Sequence, residues 1–136
     1  MTTTLADVIS LSGVDVLAHL DRQITVPVLT GLQLQGDLAV IPRDQVPHGV
    51  EITRVGPGGV PVLRGEAGGN THLLVADGLC MWGRAAEGQD VGVLTVAPGA
   101  TAYLIHPEHG ANAVGGGVYT LRRQREQADE IRLVAD

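Results

Sequence analysis

From about residue 24 onward the chain is written in short apolar runs, broken by Gly, Pro, Asp and Asn at intervals of about ten residues. That rhythm belongs to an antiparallel all-β protein. It predicts strands at Ile24–Thr30, Leu32–Gln35, Leu38–Arg43, Gly49–Val55, Val60–Arg64, His72–Ala76, Leu79–Gly83, Val91–Val96, Thr101–His106 and Gly117–Arg125. Gly36-Asp37, Gly56-Pro57-Gly58-Gly59, Asp77-Gly78 and Pro98-Gly99 separate them, supplying positive φ from Gly, fixed φ from Pro, or a side chain that bonds its own backbone. Asp77-Gly78 between two apolar runs predicts a type I′ hairpin from Thr71 to Gly83, and Gly56–Gly59 a second hairpin turn. Gly110–Gly117 reads as a mobile loop.

The two ends have different patterns. Val14, Leu17 and Leu20, followed by Ile24, recur at helical spacing after Ser12, a potential cap, which predicts a short helix or a docked arm in residues 1–23. The β-domain spans residues 24–121, and residues 122–136 form a charged extension in which Ala128–Val134 can turn once as a helix. The fold class is therefore an antiparallel sandwich or small barrel with a short N-terminal helix or arm.

Composition changes the picture in three ways. The chain has 136 residues, 44% of them apolar and 18% charged, so it carries one core and is not an ordinary disordered chain. It has no Phe, one Trp and two Tyr, so packing rests on aliphatic side chains, with Trp82 placed in the core or, alternatively, exposed as a binding platform. A single Cys80 excludes an intramolecular disulfide and suits a reducing compartment; between Leu79 and Met81 it reads as a small buried hydrophobe. The opening MTTTLADVIS has no basic n-region, and no apolar run is long enough to span a bilayer. A cytoplasmic protein, or a component of a virion or other intracellularly assembled particle, is expected, with no membrane association.

The formal net charge is −6, and every basic residue is Arg. A nucleic-acid partner needs a cationic surface to displace counterions, which argues against DNA or RNA. Arg122, Arg123 and Arg125 concentrate near the C-terminus, while acids predominate before it. These three arginines are candidate contacts to an acidic patch on a neighbouring subunit; the plain alternative is a solvated end paired with Glu126, Asp129 and Glu130.

The residues capable of chemistry are few. Ser10 and Ser12 lie outside any nucleophile elbow, and the Gly-rich turn at residues 56–59 lacks the Lys of a phosphate loop. His106-Pro107-Glu108-His109 gathers two imidazoles and a carboxylate, and His72 follows a loop containing Glu66. If the segments meet, His72, His106, His109 and Glu108 are candidate ligands for a divalent transition metal. The leading expectation is three separately solvated or hydrogen-bonded imidazoles and no cofactor, with the metal as the alternative.

Two resemblances follow from quoted segments. Asn70-Thr71-His72, Pro98-Gly99 and His106 resemble a defective version of the two cupin motifs, with Asn where the first His belongs and no Glu at the cupin distance; this implies a β-barrel relative and, as an alternative function, a His-dependent metalloprotein. Gly36–Pro42, Gly65–His72, His106–His109 and Tyr119–Glu126 resemble segments of small uncharacterised bacterial or phage-associated β-rich proteins. Without a nucleophile, an acid–base pair or a phosphate loop, the expected function is binding or assembly: a homo-oligomer, or a protein decorating a larger assembly of the capsid-accessory kind.

Overall fold

A computed structural model describes residues 3–64, 70–85 and 90–124. Among them are one helix, α1 (Leu5–Ser12), and eleven strands: β1 (Val28–Leu29), β2 (Gln33–Gln35), β3 (Leu38–Arg43), β4 (Thr53–Arg54), β5 (Val60–Arg64), β6 (Thr71–Asp77), β7 (Cys80–Arg84), β8 (Asp90–Val96), β9 (Thr101–His106), β10 (Gly110–Val114) and β11 (Gly117–Arg123). They form an antiparallel-dominated β-sandwich, with sheet orders β1-β10-β9-β6-β5 and β2-β3-β11-β8-β7-β4.

Its central part is a three-stranded ribbon folded across both layers. β6, β9 and β10 are neighbours in one sheet, and their continuations β7, β8 and β11 are neighbours in the other. Asp77-Gly78 is therefore a corner between layers, because β6 and β7 do not pair with each other. The predicted type I′ hairpin from Thr71 to Gly83 is absent. Gly78 takes φ 98, which lets the chain turn between layers there. Gly56–Gly59 likewise links β4 in one sheet to β5 in the other, and is a turn without a hairpin.

The segment read as a loop, residues 110–117, contains β10, with a full register against β9 from Gly110↔His106 to Val114↔Ala102. Small residues obscured it: Ala111 and Ala113 make little hydrophobic pattern, yet fit where α1 approaches the sheet. Conversely, only Thr53–Arg54 of the predicted Gly49–Val55 strand and Val28–Leu29 of Ile24–Thr30 form strands, with Thr25 making an isolated bridge to Thr4.

Two cores result. Between the sheets lie Leu38, Leu74, Leu94, Leu104, Tyr119 and Leu121, with Trp82. On the outer face of the five-stranded sheet, Val75, Tyr103 and Ile105 meet Leu5 and Val8 of α1 and Val26 of the following arm. The helix ends at Ser12 instead of starting after it. Thr4 supplies the cap, accepting from the Asp7 amide at 3.3 Å while the Asp7 carboxylate accepts from Thr4 at 2.8 Å, and Gly13 closes the C-terminus at φ 75. Leu5 and Val8, three apart, present one buried face. Backbone bonds from Leu5 to Ile24 and from Ala6 to Arg22 fasten the helix to the returning arm. The arm completes this chain's own second core. Among the described residues no helix is long and apolar enough to cross a membrane.

Candidate functional site: an amide ladder and a histidine cluster

One end of the inter-sheet core is closed by polar side chains. On β6, Leu74 faces that core, so period-two alternation points His72 inward too; on β9, Leu104 and His106 share the inward side by the same rule. The two imidazoles sit one step beyond the cross-strand pair Leu73↔Ile105, with ring centroids 4.4 Å apart. The three-residue turn from β9 to β10 brings His109 to 4.6 Å from His106 and 6.5 Å from His72. His109 also lies over Gly36, in the two-residue turn joining β2 and β3.

β2 contributes the other half. Its sequence Gln-Leu-Gln reverses the usual pattern: Gln33 and Gln35 face inward and are buried, while Leu34 faces out. The amides satisfy themselves in a chain that crosses between the sheets. Gln33 Nε2 donates to the Ala113 carbonyl at 2.9 Å, and Asn112 Nδ2 donates to Gln33 Oε1 at 3.2 Å. Gln35 Nε2 donates to Asn112 Oδ1 at 2.9 Å and to the Leu104 carbonyl at 2.8 Å, with Gly110 O further off at 3.3 Å. His72 is next, its Nδ1 2.8 Å from Gln35 Oε1 and its Nε2 3.1 Å from Asp37 Oδ1. Buried amides survive because each polar atom has a partner. This ladder went unread in the sequence; the available signal was the inverted polarity of Gln33-Leu34-Gln35.

Burial sets the protonation of His72 and His106. His106 is pushed down to about 4, first by desolvation, then by His72 and His109. His72 is also lowered by burial, which outweighs the opposing pull of Asp37. His106 Nδ1 accepts the Glu108 amide at 3.1 Å, and the Glu108 carboxylate accepts from Asn70 at 2.9 Å. The four residues expected as ligands therefore gather at one rim, but the His72 nitrogens already face Gln35 and Asp37, and Glu108 is turned to Asn70. Among the described residues no group of three or more His, Cys, Asp and Glu side chains is disposed to hold a metal ion.

The remaining candidates lie elsewhere. Trp82 is 5% exposed and belongs to the core, so it is no binding platform: its β7 position alternates inward with Cys80. Cys80 is fully buried, and desolvation raises its thiol, which leaves no poised thiolate. Arg122 spends its guanidinium on Asp90, its cross-strand neighbour on β8, at 2.7 Å. Arg123 is exposed at the end of β11. Arg125, Glu126, Asp129, Glu130, the predicted turn at Ala128–Val134 and Glu66 lie outside the described residues.

The model of a domain of unknown function, DUF8820, matches residues 34–124, more than half of the chain. The chain belongs to the DUF8820 family. The DUF8820 span runs from within β2 through β11 and holds Gln35, Asp37, His72, His106, Asn112 and the ribbon. Helix α1 and its arm precede it. No curated protein and no solved structure matches the chain.

Proposed function

We propose that this chain is a non-catalytic assembly protein that self-associates through the edge formed by β1, β2 and their connection. One observation carries the reading: Val28, Leu29, Leu32 and Leu34, within one short segment, are all large apolar residues with about half of their surface in solvent (51%, 45%, 64% and 57%). Single exposed apolar residues are ordinary, whereas a run of them on edge strands marks an association surface. β1 is the edge of one sheet and β2 of the other, so the run borders both layers on the same side of the sandwich. A second copy supplies the same apolar run, and two-fold pairing makes such a surface complementary to itself. The chemistry-bearing groups favour the same reading. The thiol is buried, and the His72 and His106 imidazoles are engaged by hydrogen bonds in a crowded rim.

Sedimentation of the full chain over a range of concentrations tests this. The wild type is expected to form a concentration-dependent oligomer that persists at high salt, because apolar burial is not screened. Leu32→Glu with Leu34→Glu is expected to stay monomeric with an unchanged circular dichroism spectrum. A wild type that is monomeric throughout, or a double variant that assembles equally well, would overturn the reading. Salt-sensitive assembly lost on Arg123→Glu would move the contact to the charged C-terminal region.

A further inference from the structure

We propose that His72 and Asp37 form a one-proton latch on the turn between β2 and β3, open while the imidazole is neutral and closed when its Nε2 takes up a proton. The argument rests on hydrogen-bond polarity and is independent of the assembly reading. A backbone carbonyl can only accept, so Ala113 O makes the nearby Gln33 atom a donor and leaves Oε1 as Gln33's acceptor. Asn112 must then donate to Gln33 Oε1, which turns its own Oδ1 toward Gln35. Leu104 O confirms the same orientation for Gln35, whose Nε2 donates and whose Oε1 accepts. The ladder thus ends on an acceptor facing His72 Nδ1 at 2.8 Å, and that nitrogen carries the ring's first proton.

Neutral His72 therefore presents a lone pair at Nε2, and 3.1 Å away stands Asp37 Oδ1, which is also an acceptor when ionised. Two acceptors at that separation do not bond. A proton taken from solvent onto Nε2 converts the pair into a charge-assisted hydrogen bond between imidazolium and carboxylate, with no bond broken elsewhere. The partners differ in freedom: the His72 side chain is 2% exposed and Asp37 41%. In the open state the carboxylate turns to water while the ring stays.

Every neighbouring element contributes to the balance. From the β2–β3 turn, Asp37 favours the proton. His106 at the end of β9 and His109 from the β9–β10 turn crowd the ring, and burial opposes charging it, so closure falls on the acid side of the ordinary imidazole range. Glu108, from that same turn, lies beside His106 and is engaged by Asn70. The far side of the β2–β3 turn is held by Gln124, whose amide donates to Asp37 O at 3.0 Å and whose Nε2 donates to Gly36 O at 2.7 Å. Closure consequently ties the start of β6, the turn and the exit of β11 into one unit.

Imidazole nitrogen–proton correlation spectra of the full chain, followed from about pH 8 to about pH 4, test the latch. Neutral His72 is expected as the Nδ1–H tautomer. In Asp37→Asn the amide donates to the neutral Nε2, so the His72 titration midpoint should fall by about one unit or more, and the thermal midpoint at about pH 8 should rise. Asp37→Ala should lower the titration midpoint without the thermal gain. An Nε2–H tautomer, or a midpoint unmoved in both variants, would sink the proposal, and the tautomer is read on the wild type whatever the variants do. Zinc added in equal amount at about pH 8 is expected to leave the His72 signals in place; their displacement by zinc, abolished in Asp37→Asn, would make the pair a metal site and overturn the latch.

Discussion

His109 Nε2 stands 2.6 Å from where a Cβ on Gly36 would be, so the imidazole occupies the space of a missing side chain and pins the β9–β10 turn against the β2–β3 turn. Gly36 also takes φ 58, a left-handed conformation that other residues resist. Gly36→Ala should therefore cost about 1–3 kcal/mol by urea denaturation. In a His109→Ala background the steric part should vanish and only the φ penalty of about 1 kcal/mol remain. A double-mutant cycle without coupling would show that the ring is not wedged there.

Gln35 is the node of the amide ladder, bonded to the neighbouring sheet through Leu104 O, Asn112 and His72. Gln35→Leu keeps similar volume but strands these buried groups without partners, at a cost of about 2–4 kcal/mol. Leu34→Gln, one position along on the exposed face, should leave the denaturation midpoint almost unchanged at a dilution where the chain is monomeric.

The rings make the fold acid-sensitive. His106 binds its proton near 4 in the folded chain and at the ordinary 6.5 when unfolded, so between those values the unfolded state holds more protons and stability rises with pH. That stability is complete above about 6.5 and falls progressively on acidification, by up to about 3 kcal/mol at 1.36 kcal/mol per unit. His72, also lowered, adds with the same sign. Urea midpoints from about pH 4 to about pH 8 read the slope. His106→Asn, which keeps an acceptor for the Glu108 amide, should reduce it.

Leu5 is 2% exposed beneath α1. Leu5→Ala should cost about 2–4 kcal/mol, with the loss independent of protein concentration because the helix packs on its own sheet. A penalty that disappears on dilution would place the helix on a neighbouring molecule.

Trp82, the only tryptophan, should emit at blue-shifted wavelength in the native state and shift red on unfolding. Emission already at the water position would show that the indole is not enclosed by the core.

The sequence by itself determined the fold class and most strand positions. Leu38–Arg43, Val60–Arg64 and Thr101–His106 were legible to the residue, because a strand with one face in a core must alternate or run apolar, and Gly and Pro must punctuate it. A short helix near the N-terminus was expected, but the Val14, Leu17 and Leu20 spacing that suggested it is not helical; Thr4-x-x-Asp7 marks the true start. Only tertiary structure decided which strands pair. Asp77-Gly78 suits a hairpin locally, but the ribbon gains more by continuing into the second layer, where Trp82 and Cys80 complete the inter-sheet core. Β-strand status for Gly110–Val114 came from β9 and the parallel edge β1, since Ala and Gly carry almost no hydrophobic signal. The rim shows the same division. Histidines at 72, 106 and 109 could be noted along the chain, but their convergence depends on the β6–β9 register, and their partners Gln35 and Asp37 are distant in sequence. Hydrogen-bond polarity is a property of neighbours in space, so the tautomer of His72 is settled by a carbonyl at Ala113 through three intervening ladder residues.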